Sequence, residues 1–347
     1  MNGPVIFILS VLSTFPLYAQ QVREFHVDAA KTTSLKLSEI AEKVILIPLN
    51  KDVPGIQMLF ETDEYLFLAS LREVWQYDIS GKYIRTISGG GGFVYGVAGD
   101  LVKKELYIPV RSVNGNGCEV WCYDFAGRLK KKITLKNSGV VSCLYHKNLL
   151  WILSEKLVDK KMRGYYSYVD ITTGKETFVA HSFEKPSKIL PSGMNANSIG
   201  FFGSLSVSDN RLFANWNDNI IWNIQKDRVV PVFKLVVAQE YKEQMLGFYK
   251  GVLGNYLYFN YNVDDDESYL YLRHLLTGKT FYVKYAGGYG GDAKGAIDDI
   301  YDSGCFSMKR TLNREGYFWF IKEMRGKSLG KTPVKGNQVI FIVKTKS

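Results

Sequence analysis

The chain has 347 residues, of which 46% are hydrophobic and 14% aromatic, and its formal net charge is +10. This composition is ample for a large core and is rich in residues that favour strands. The 44 Lys and Arg residues are spread along the chain without a nucleic-acid-binding motif, which argues against a nucleic-acid partner. The one dense basic run, Arg128 to Lys132, is interpreted as a solvent-exposed outer strand.

The first 19 residues have the pattern of a secretory signal peptide. An apolar run from Val5 to Phe15 is followed by Leu17-Tyr18-Ala19, an ending suited to cleavage. Nothing later in the chain is long and apolar enough to cross a bilayer, so no transmembrane segment is expected. We therefore predict removal of residues 1–19 and a soluble protein of the periplasm or the extracellular space.

A fifteen-residue phrase occurs twice, 46 residues apart, at Glu73–Ile87 and Glu119–Ile133. Seven of its positions are identical, and Asp78, Asp124 and Asp170 continue the same step. A period in the forties made of short apolar strands and tight turns is typical of a β-propeller. In the turns, Gly can accept a positive φ and Asp can cap the turn.

Six pairs of short strands extend this repeat along the chain. The first strands are 64–67, 105–108, 148–151, 211–214, 256–259 and 317–320, and the second are 74–77, 120–123, 165–169, 220–224, 269–273 and 339–343. They predict an all-β propeller of six four-stranded blades. The last repeat lacks an outer strand, and Lys43–Leu49 is predicted to supply it by pairing with the C-terminal strand. The expected organisation is a signal peptide at 1–19, an N-terminal connector at 20–42 and the propeller at 43–347.

Three stretches carry a resemblance to a known family: 38–49, 74–84 and 337–344. Together they resemble the exported six-bladed β-propeller proteins of Bacteroides-type bacteria, a largely uncharacterised family similar in architecture to NHL-repeat propellers. Members often carry a Gly-x-Gly-Pro-Gly-Glu-Tyr-like loop after blade one, whereas this chain has Gly89–Tyr95 without the Pro and the acid. The resemblance implies the fold and implies no particular activity.

Motifs that would bind a metal or a cofactor are weak in this chain. The glycine run Gly89–Gly92 lacks the Lys-Ser/Thr end of a phosphate-binding loop and is interpreted as a turn between blades. The acidic run Asp264–Glu267 lacks EF-hand spacing and is interpreted as a solvated loop. The four histidines, His26, His146, His181 and His274, fall at non-equivalent positions of the repeat. We predict no metal and no cofactor.

Catalytic residues cannot be assigned from the sequence. Asp298, Asp299 and Asp302 lie close together and could act as acid and base, but capping of a turn is the preferred interpretation. The four cysteines, Cys118, Cys122, Cys143 and Cys305, contain no CxxC pair and are interpreted as buried thiols.

A candidate ligand-binding face follows from propeller geometry, in which the loops after the second and fourth strands of each blade share one face. On this chain the face would gather Arg and aromatic side chains that suit sugar rings and carboxylates. They are Arg72, Tyr95, Arg111, Arg163, Trp216 and Tyr289.

The function predicted from these features is that of a monomeric binding or scaffolding propeller, with a glycan, peptide or protein as its partner. The alternative is a lyase or hydrolase, active on glycans or on another substrate, with carboxylates from the loops between blades. A fold of this kind supports either function.

Overall fold

The computed structural model of the protein describes residues 22–27, 31–88, 92–111, 117–136, 139–158, 161–186, 204–215, 220–237, 250–262, 268–284, 295–324, 328–329, 332–333 and 336–347. Strands dominate these residues. The predicted signal peptide lies outside them, as do Gly89–Gly91, Asp264–Glu267, Trp216 and Tyr289.

The N-terminal arm, residues 22–49, precedes the first complete blade. Its elements are β1 (Arg23–Val27), β2 (Leu35–Lys36), the short helix α1 (Leu37–Ile40) and β3 (Ala41–Leu49).

Five sheets follow in chain order, and in each the chain runs from the innermost strand to the outer edge. Blade one contains β4 (Met58–Glu61), β5 (Tyr65–Ala69), β6 (Glu73–Asp78) and β7 (Tyr83–Ser88). Blade two contains β8 (Phe93–Val94), β9 (Ala98–Asp100), β10 (Glu105–Arg111), β11 (Cys118–Asp124) and β12 (Leu129–Thr134). Blade three contains β13 (Val140–His146), β14 (Leu149–Val158), β15 (Lys161–Val169) and β16 (Glu176–Pro186). Blade four contains β17 (Ser204–Ser208), β18 (Arg211–Asn215), β19 (Ile220–Ile224) and β20 (Val229–Val237). Blade five contains β21 (Lys250–Leu253), β22 (Tyr256–Asn262), β23 (Ser268–His274) and β24 (Thr280–Lys284).

Two further sheets combine the C-terminal part of the chain with the N-terminal arm. The small blade contains β25 (Ala296–Asp298), β26 (Gly304–Cys305) and, parallel to β25, the arm strand β2. The closing blade contains β27 (Lys309–Arg310), β28 (Tyr317–Glu323), β31 (Gln338–Thr345) and β3. A ribbon of β29 (Ser328–Leu329) and β30 (Thr332–Pro333) lies between β28 and β31 in sequence.

The prediction of an all-β propeller is confirmed, but the prediction of six blades is wrong, because the described residues form seven. The seventh is the small blade, which has only three short strands. Its residues Ala296 and Phe306 pack in one cluster with Tyr256 of blade five and Phe318 of the closing blade. The small blade leaves no recognisable pattern in the sequence, because its strands are two or three residues long and one of them comes from the arm.

The predicted pairing of Lys43–Leu49 with the C-terminal strand is confirmed. β3 runs antiparallel to β31, with Val44 opposite Val343 and Ile47 opposite Ile340. Pro48 is tolerated in β3 because an outermost strand can leave the backbone groups along its outer edge unpaired. The first and last parts of the chain therefore share one sheet, which joins the two ends of the ring.

The arm also covers the outer edges of two other blades. β1 adds to β20 as a fifth, parallel strand of blade four, and Phe25 is buried there. Farther along, the Thr33 N–H donates to the Tyr282 carbonyl of β24 at 2.7 Å. Backbone groups that would be exposed at these edges are thus paired.

The core is divided among the gaps between blades. Aromatic and branched side chains on the two faces of each sheet pack against the neighbouring sheets, as expected for strands that are buried on both faces. Three of the four cysteines are buried, and none of the four forms a disulfide.

Pro109 explains an interruption in the innermost strand of blade two. It lies within β10, where it has no N–H to donate to the inner neighbour. That neighbour is accordingly split into β8 and β9, which pair with β10 on either side of Pro109. The break includes Tyr95, whose N–H donates to the Pro109 carbonyl at 3.1 Å.

Candidate functional site

Arg72 lies in the tight turn between β5 and β6 of blade one. The Ser70 hydroxyl oxygen accepts the N–H groups of Arg72 at 3.2 Å and Glu73 at 3.3 Å, which fixes the turn locally. The Arg72 side chain is exposed, and its guanidinium carbon lies 5.1 Å from the centre of the Phe93 ring. This arrangement is a cation–π contact between blades one and two.

Phe93 also brings Arg111 to the same place. Phe93 of β8 is paired directly with Arg111 of β10. A side chain at the preceding residue, Gly92, would meet the Arg111 carbonyl at 2.5 Å, so only glycine allows this close approach. The Val94 N–H donates to the Leu71 carbonyl at 2.8 Å and ties the two blades together. We call the surface formed by Arg72, Phe93 and Arg111 the Arg72–Arg111 rim.

Two other predicted site residues, Tyr95 and Arg163, are not part of this rim. Tyr95 is only 8% exposed and packs in the core between blades two and three. Arg163 lies on β15 of blade three, where it is paired in register with Lys156. Trp216 and Tyr289 lie outside the described residues. Of the four predicted residues that are described, the structure thus brings together two, and it adds Phe93, which sequence reasoning had not selected.

The rim is cationic. Arg72 makes no ion pair with a carboxylate in the described part of the chain. Next to Arg111, burial raises the pKa of the Cys118 thiol to about 12, although the Arg111 charge acts in the opposite direction. Cys118 is therefore a protonated thiol near neutral pH and is unsuited to act as a nucleophile.

The acidic cluster before the closing blade caps a turn, as the preferred interpretation predicted. The Asp298 carboxylate is fully buried and accepts the N–H groups of Ile300 and Tyr301 and the Ser303 hydroxyl at 2.6 Å. Asp299 accepts the N–H and the hydroxyl of Ser38, at 2.9 and 2.6 Å, and thereby anchors α1. These carboxylates are committed to structural hydrogen bonds, so the pair is a poor candidate for acid–base chemistry.

One carboxyl group that sequence reasoning missed has a perturbed environment. Glu155 of β14 is 9% exposed, and its Oε1 is buried without a hydrogen-bond partner among the residues that the structure describes. Burial raises the pKa of Glu155 to about 8. The residue opposite it on β15 is Gly164, which offers no side chain. Nothing in the local sequence distinguishes Glu155 from a solvated strand residue.

The described residues contain neither a metal centre nor a membrane-spanning helix. No group of three or more His, Cys, Asp or Glu residues there is arranged to hold a metal ion. In the same residues no helix has the length and apolar character needed to cross a membrane.

Comparisons with known proteins support the fold. No protein-family model matches the chain, and no curated protein matches its sequence. Among solved structures the chain is similar to a Bacteroides fragilis protein whose export is inferred, with 14% identity over 94% of this chain and 100% of that one and a TM-score of 0.61.

Two other solved structures are more distant. The β-propeller domain of Myceliophteria thermophila Cps50 (Swd1) has 10% identity over 87% of this chain and 100% of that one, with a TM-score of 0.46. PorZ, a surface component of the type-IX secretion system of Porphyromonas gingivalis, has 15% identity over 79% of this chain and 30% of that one, with a TM-score of 0.38.

Proposed function

We propose that the protein is an exported binding or scaffolding propeller that recognises an anionic glycan, peptide or protein at the Arg72–Arg111 rim. The observation that carries this proposal is that Phe93 lies beneath the Arg72 guanidinium and is paired in register with Arg111, at the junction of two blades. Guanidinium groups pair with carboxylates through two parallel hydrogen bonds, and an aromatic ring packs against sugar or peptide groups.

The proposal includes export and processing. The apolar run Val5–Phe15 and its small-residue ending motivate cleavage near Ala19. In the mature protein, residues 20–42 would form the connector, which also adds strands to two blades, and residues 43–347 would form the main body of the propeller. The fold shared with the Bacteroides fragilis protein is in keeping with this location.

A second function, cleavage of a glycan, is favoured by Glu155. A carboxyl group with a pKa raised to about 8 by burial is protonated at neutral pH, as a general acid must be. Such chemistry also needs a second carboxylate about 5–10 Å away. Cleavage thus requires two carboxyl groups placed together, whereas binding requires only the Arg72–Arg111 rim, so binding without cleavage is the preferred function.

Glycan and peptide arrays probed with the mature protein test the choice between the two functions. Binding predicts retention on uronic-acid-containing glycans or on peptides with free carboxylates, with the captured molecules unchanged in mass. Shortened glycans would favour the enzyme, and the absence of any retained anionic molecule would contradict the binding function.

A further inference from the structure

Arg310 reaches from one inner strand of the propeller to another. It lies on β27, the innermost strand of the closing blade, and its Nη2 donates to the Leu205 carbonyl on β17, the innermost strand of blade four. Nη1 of Arg310 lies next to Gly251 on β21, the innermost strand of blade five. Inner strands of neighbouring blades contact one another around the axis, so the guanidinium lies at the wall of the central channel.

Most donors of this guanidinium have no partner. Nε and Nη1 of Arg310 are buried and make no hydrogen bond with any described residue, whereas Nη2 is bonded to Leu205. No carboxylate of the described residues forms an ion pair with Arg310. Arginine keeps its charge at any pH relevant to proteins, so this cation cannot become neutral by losing a proton.

The space around the guanidinium depends on a glycine. A Cβ at Gly251 would lie 3.3 Å from Arg310 Nη1 and 3.1 Å from the Tyr258 hydroxyl oxygen. The glycine therefore leaves room for both polar groups at the same point of the channel wall. A guanidinium and a phenol hydroxyl side by side are suitable hydrogen-bond donors for an oxyanion.

A buried charge without a partner is unfavourable, and a partner is expected at such a site. We propose that Arg310 is an anion-binding residue of the central channel, and that its ligand presents a carboxylate or a phosphate to Nε and Nη1. This site uses neither Arg72 nor Arg111. It is independent of the proposed function and can fail without affecting it.

Calorimetric titration of the mature protein with sodium phosphate, sodium sulfate and sodium glucuronate tests the site directly, with sodium chloride of equal ionic strength as the reference. We expect saturable binding of at least one of the three, and the preferred probe distinguishes a phosphate-like ligand from a carboxylate. At about one hundred times the dissociation constant, the melting temperature should rise by roughly 4 °C. Failure of all three oxyanions to bind more tightly than chloride would overturn the proposal.

Arg310→Met is the decisive variant. It should lose the anion-dependent rise in melting temperature, while without added anion it should be at least as stable as the parent, because a buried unpaired charge has been removed. Equal anion-dependent shifts in Arg310→Met and the parent would overturn the proposal.

Two further variants test the role of Arg310 if Arg310→Met does not fold. Arg310→Lys keeps the charge but lacks the planar fork, so its affinity should fall about tenfold. Gly251→Ala keeps the arginine but crowds Nη1, and its affinity should fall as well. The double variant Lys82→Ala/Arg128→Ala, which removes two exposed charges from turns at the outer strands, should bind the same probe as tightly as the parent. Unchanged affinity in Arg310→Lys would contradict the assignment.

Discussion

In each of the first three blades an aspartate caps the third turn, which connects the third strand to the fourth. Asp78 Oδ1 accepts the N–H groups of Ser80 and Lys82 at 2.9 and 3.0 Å, and Asp170 Oδ1 accepts those of Thr172 and Thr173 at 2.8 and 3.1 Å. The backbone hydrogen bond from Thr173 lowers the pKa of Asp170. Turn capping by Asp, predicted from the repeated phrase, is thereby confirmed.

The repeated phrase also contains a contact that the sequence did not reveal. Arg85 and Lys131 occupy the same position of the two phrases. Arg85 Nη1 donates to the Ala126 carbonyl of blade two, and Lys131 Nζ donates to the Ile171 carbonyl of blade three. One member of the basic run thus bonds to the next blade, which the interpretation of that run as a solvated strand did not include.

Glycine in these turns gives a matched pair of variants. Gly81 has φ +86°, and an added Cβ would lie 1.9 Å from the Pro48 carbonyl of β3; Gly174 has φ +72°, and its nearest neighbour would be Ile133 at 3.8 Å. We expect Gly174→Ala to lower the free energy of unfolding by about 1–2 kcal/mol through backbone strain. Gly81→Ala should cost at least about twice as much, because it also displaces β3. Denaturant unfolding of both variants measures the difference, and equal costs would show that the contact with Pro48 is unimportant.

Glu155 predicts a pH dependence of stability. Burial raises its pKa from 4.5 to about 8, so at intermediate pH the folded protein holds a proton there that the unfolded chain has lost. The free energy of unfolding should therefore fall as the pH rises from about 5 to about 8, by on the order of 4 kcal/mol from this group. Glu155→Gln should remove that part of the decrease.

Denaturant unfolding at the two ends of this pH range provides the measurement. The exposed variant Glu73→Gln is the control and should keep the pH dependence of the parent. The same dependence in Glu155→Gln and in the parent would mean that Glu155 is ionised throughout the range.

At the level of strands, the repeat predicted the parts of the fold that are built from equivalent strands. The paired strands of blades one and two, such as β10 with β11, fall where the repeated phrases indicated. The small blade was not predicted, because its three short strands show no periodicity. In addition, the parallel pairing of Leu35 with Ala296 joins residues that are far apart in the sequence. Pairings of this kind are determined by packing between blades.

The closing strand can be tested by deletion. Removal of residues 43–50 would expose the edge of β31 and uncover Ile340 and Ile342, which are fully buried. We expect soluble aggregates, measured by size-exclusion chromatography with light scattering, because an unpaired apolar edge recruits other chains.

A variant without the ion pair between Glu42 and Lys344, whose charged atoms are 2.6 Å apart, serves as the control. Glu42→Ala/Lys344→Ala leaves the strand in place and should remain a monomer, since an exposed ion pair contributes little. A monomeric deletion variant as stable as the parent would contradict closure by β3.

For the molecule as a whole, the sequence predicted the candidate site only in part. Arg72 and Arg111 were found because the repeated phrases place both at the same connection of neighbouring blades. Tyr95 lies in the core and not at the rim, because the inner strand is interrupted opposite Pro109. Arg310 could not have been found, because its importance depends on a contact with Leu205, 105 residues away.

Export is also a property of the whole molecule. We expect protein recovered from a native-like host to lack residues 1–19, because the apolar run and its small-residue ending suit a signal peptidase. Intact-mass spectrometry measures this directly. A mass that includes residues 1–19 would contradict export by cleavage.

The central claim is that the Arg72–Arg111 rim binds an anionic partner. The variant Arg72→Ala/Arg111→Ala removes two positive charges from the rim. Its control, Lys82→Ala/Arg128→Ala, removes two exposed charges from equivalent third turns of blades one and two. The melting temperatures of both variants should stay close to that of the parent.

The most direct measurement is the dissociation constant of the array-selected ligand for the parent and these two variants, at low and at physiological salt. The rim variant should bind at least about tenfold more weakly, and its affinity should depend less on salt, because charge-assisted contacts have been lost. The control should bind as the parent does. Equal affinity of the rim variant and the parent would contradict the claim and place the binding site elsewhere on the propeller.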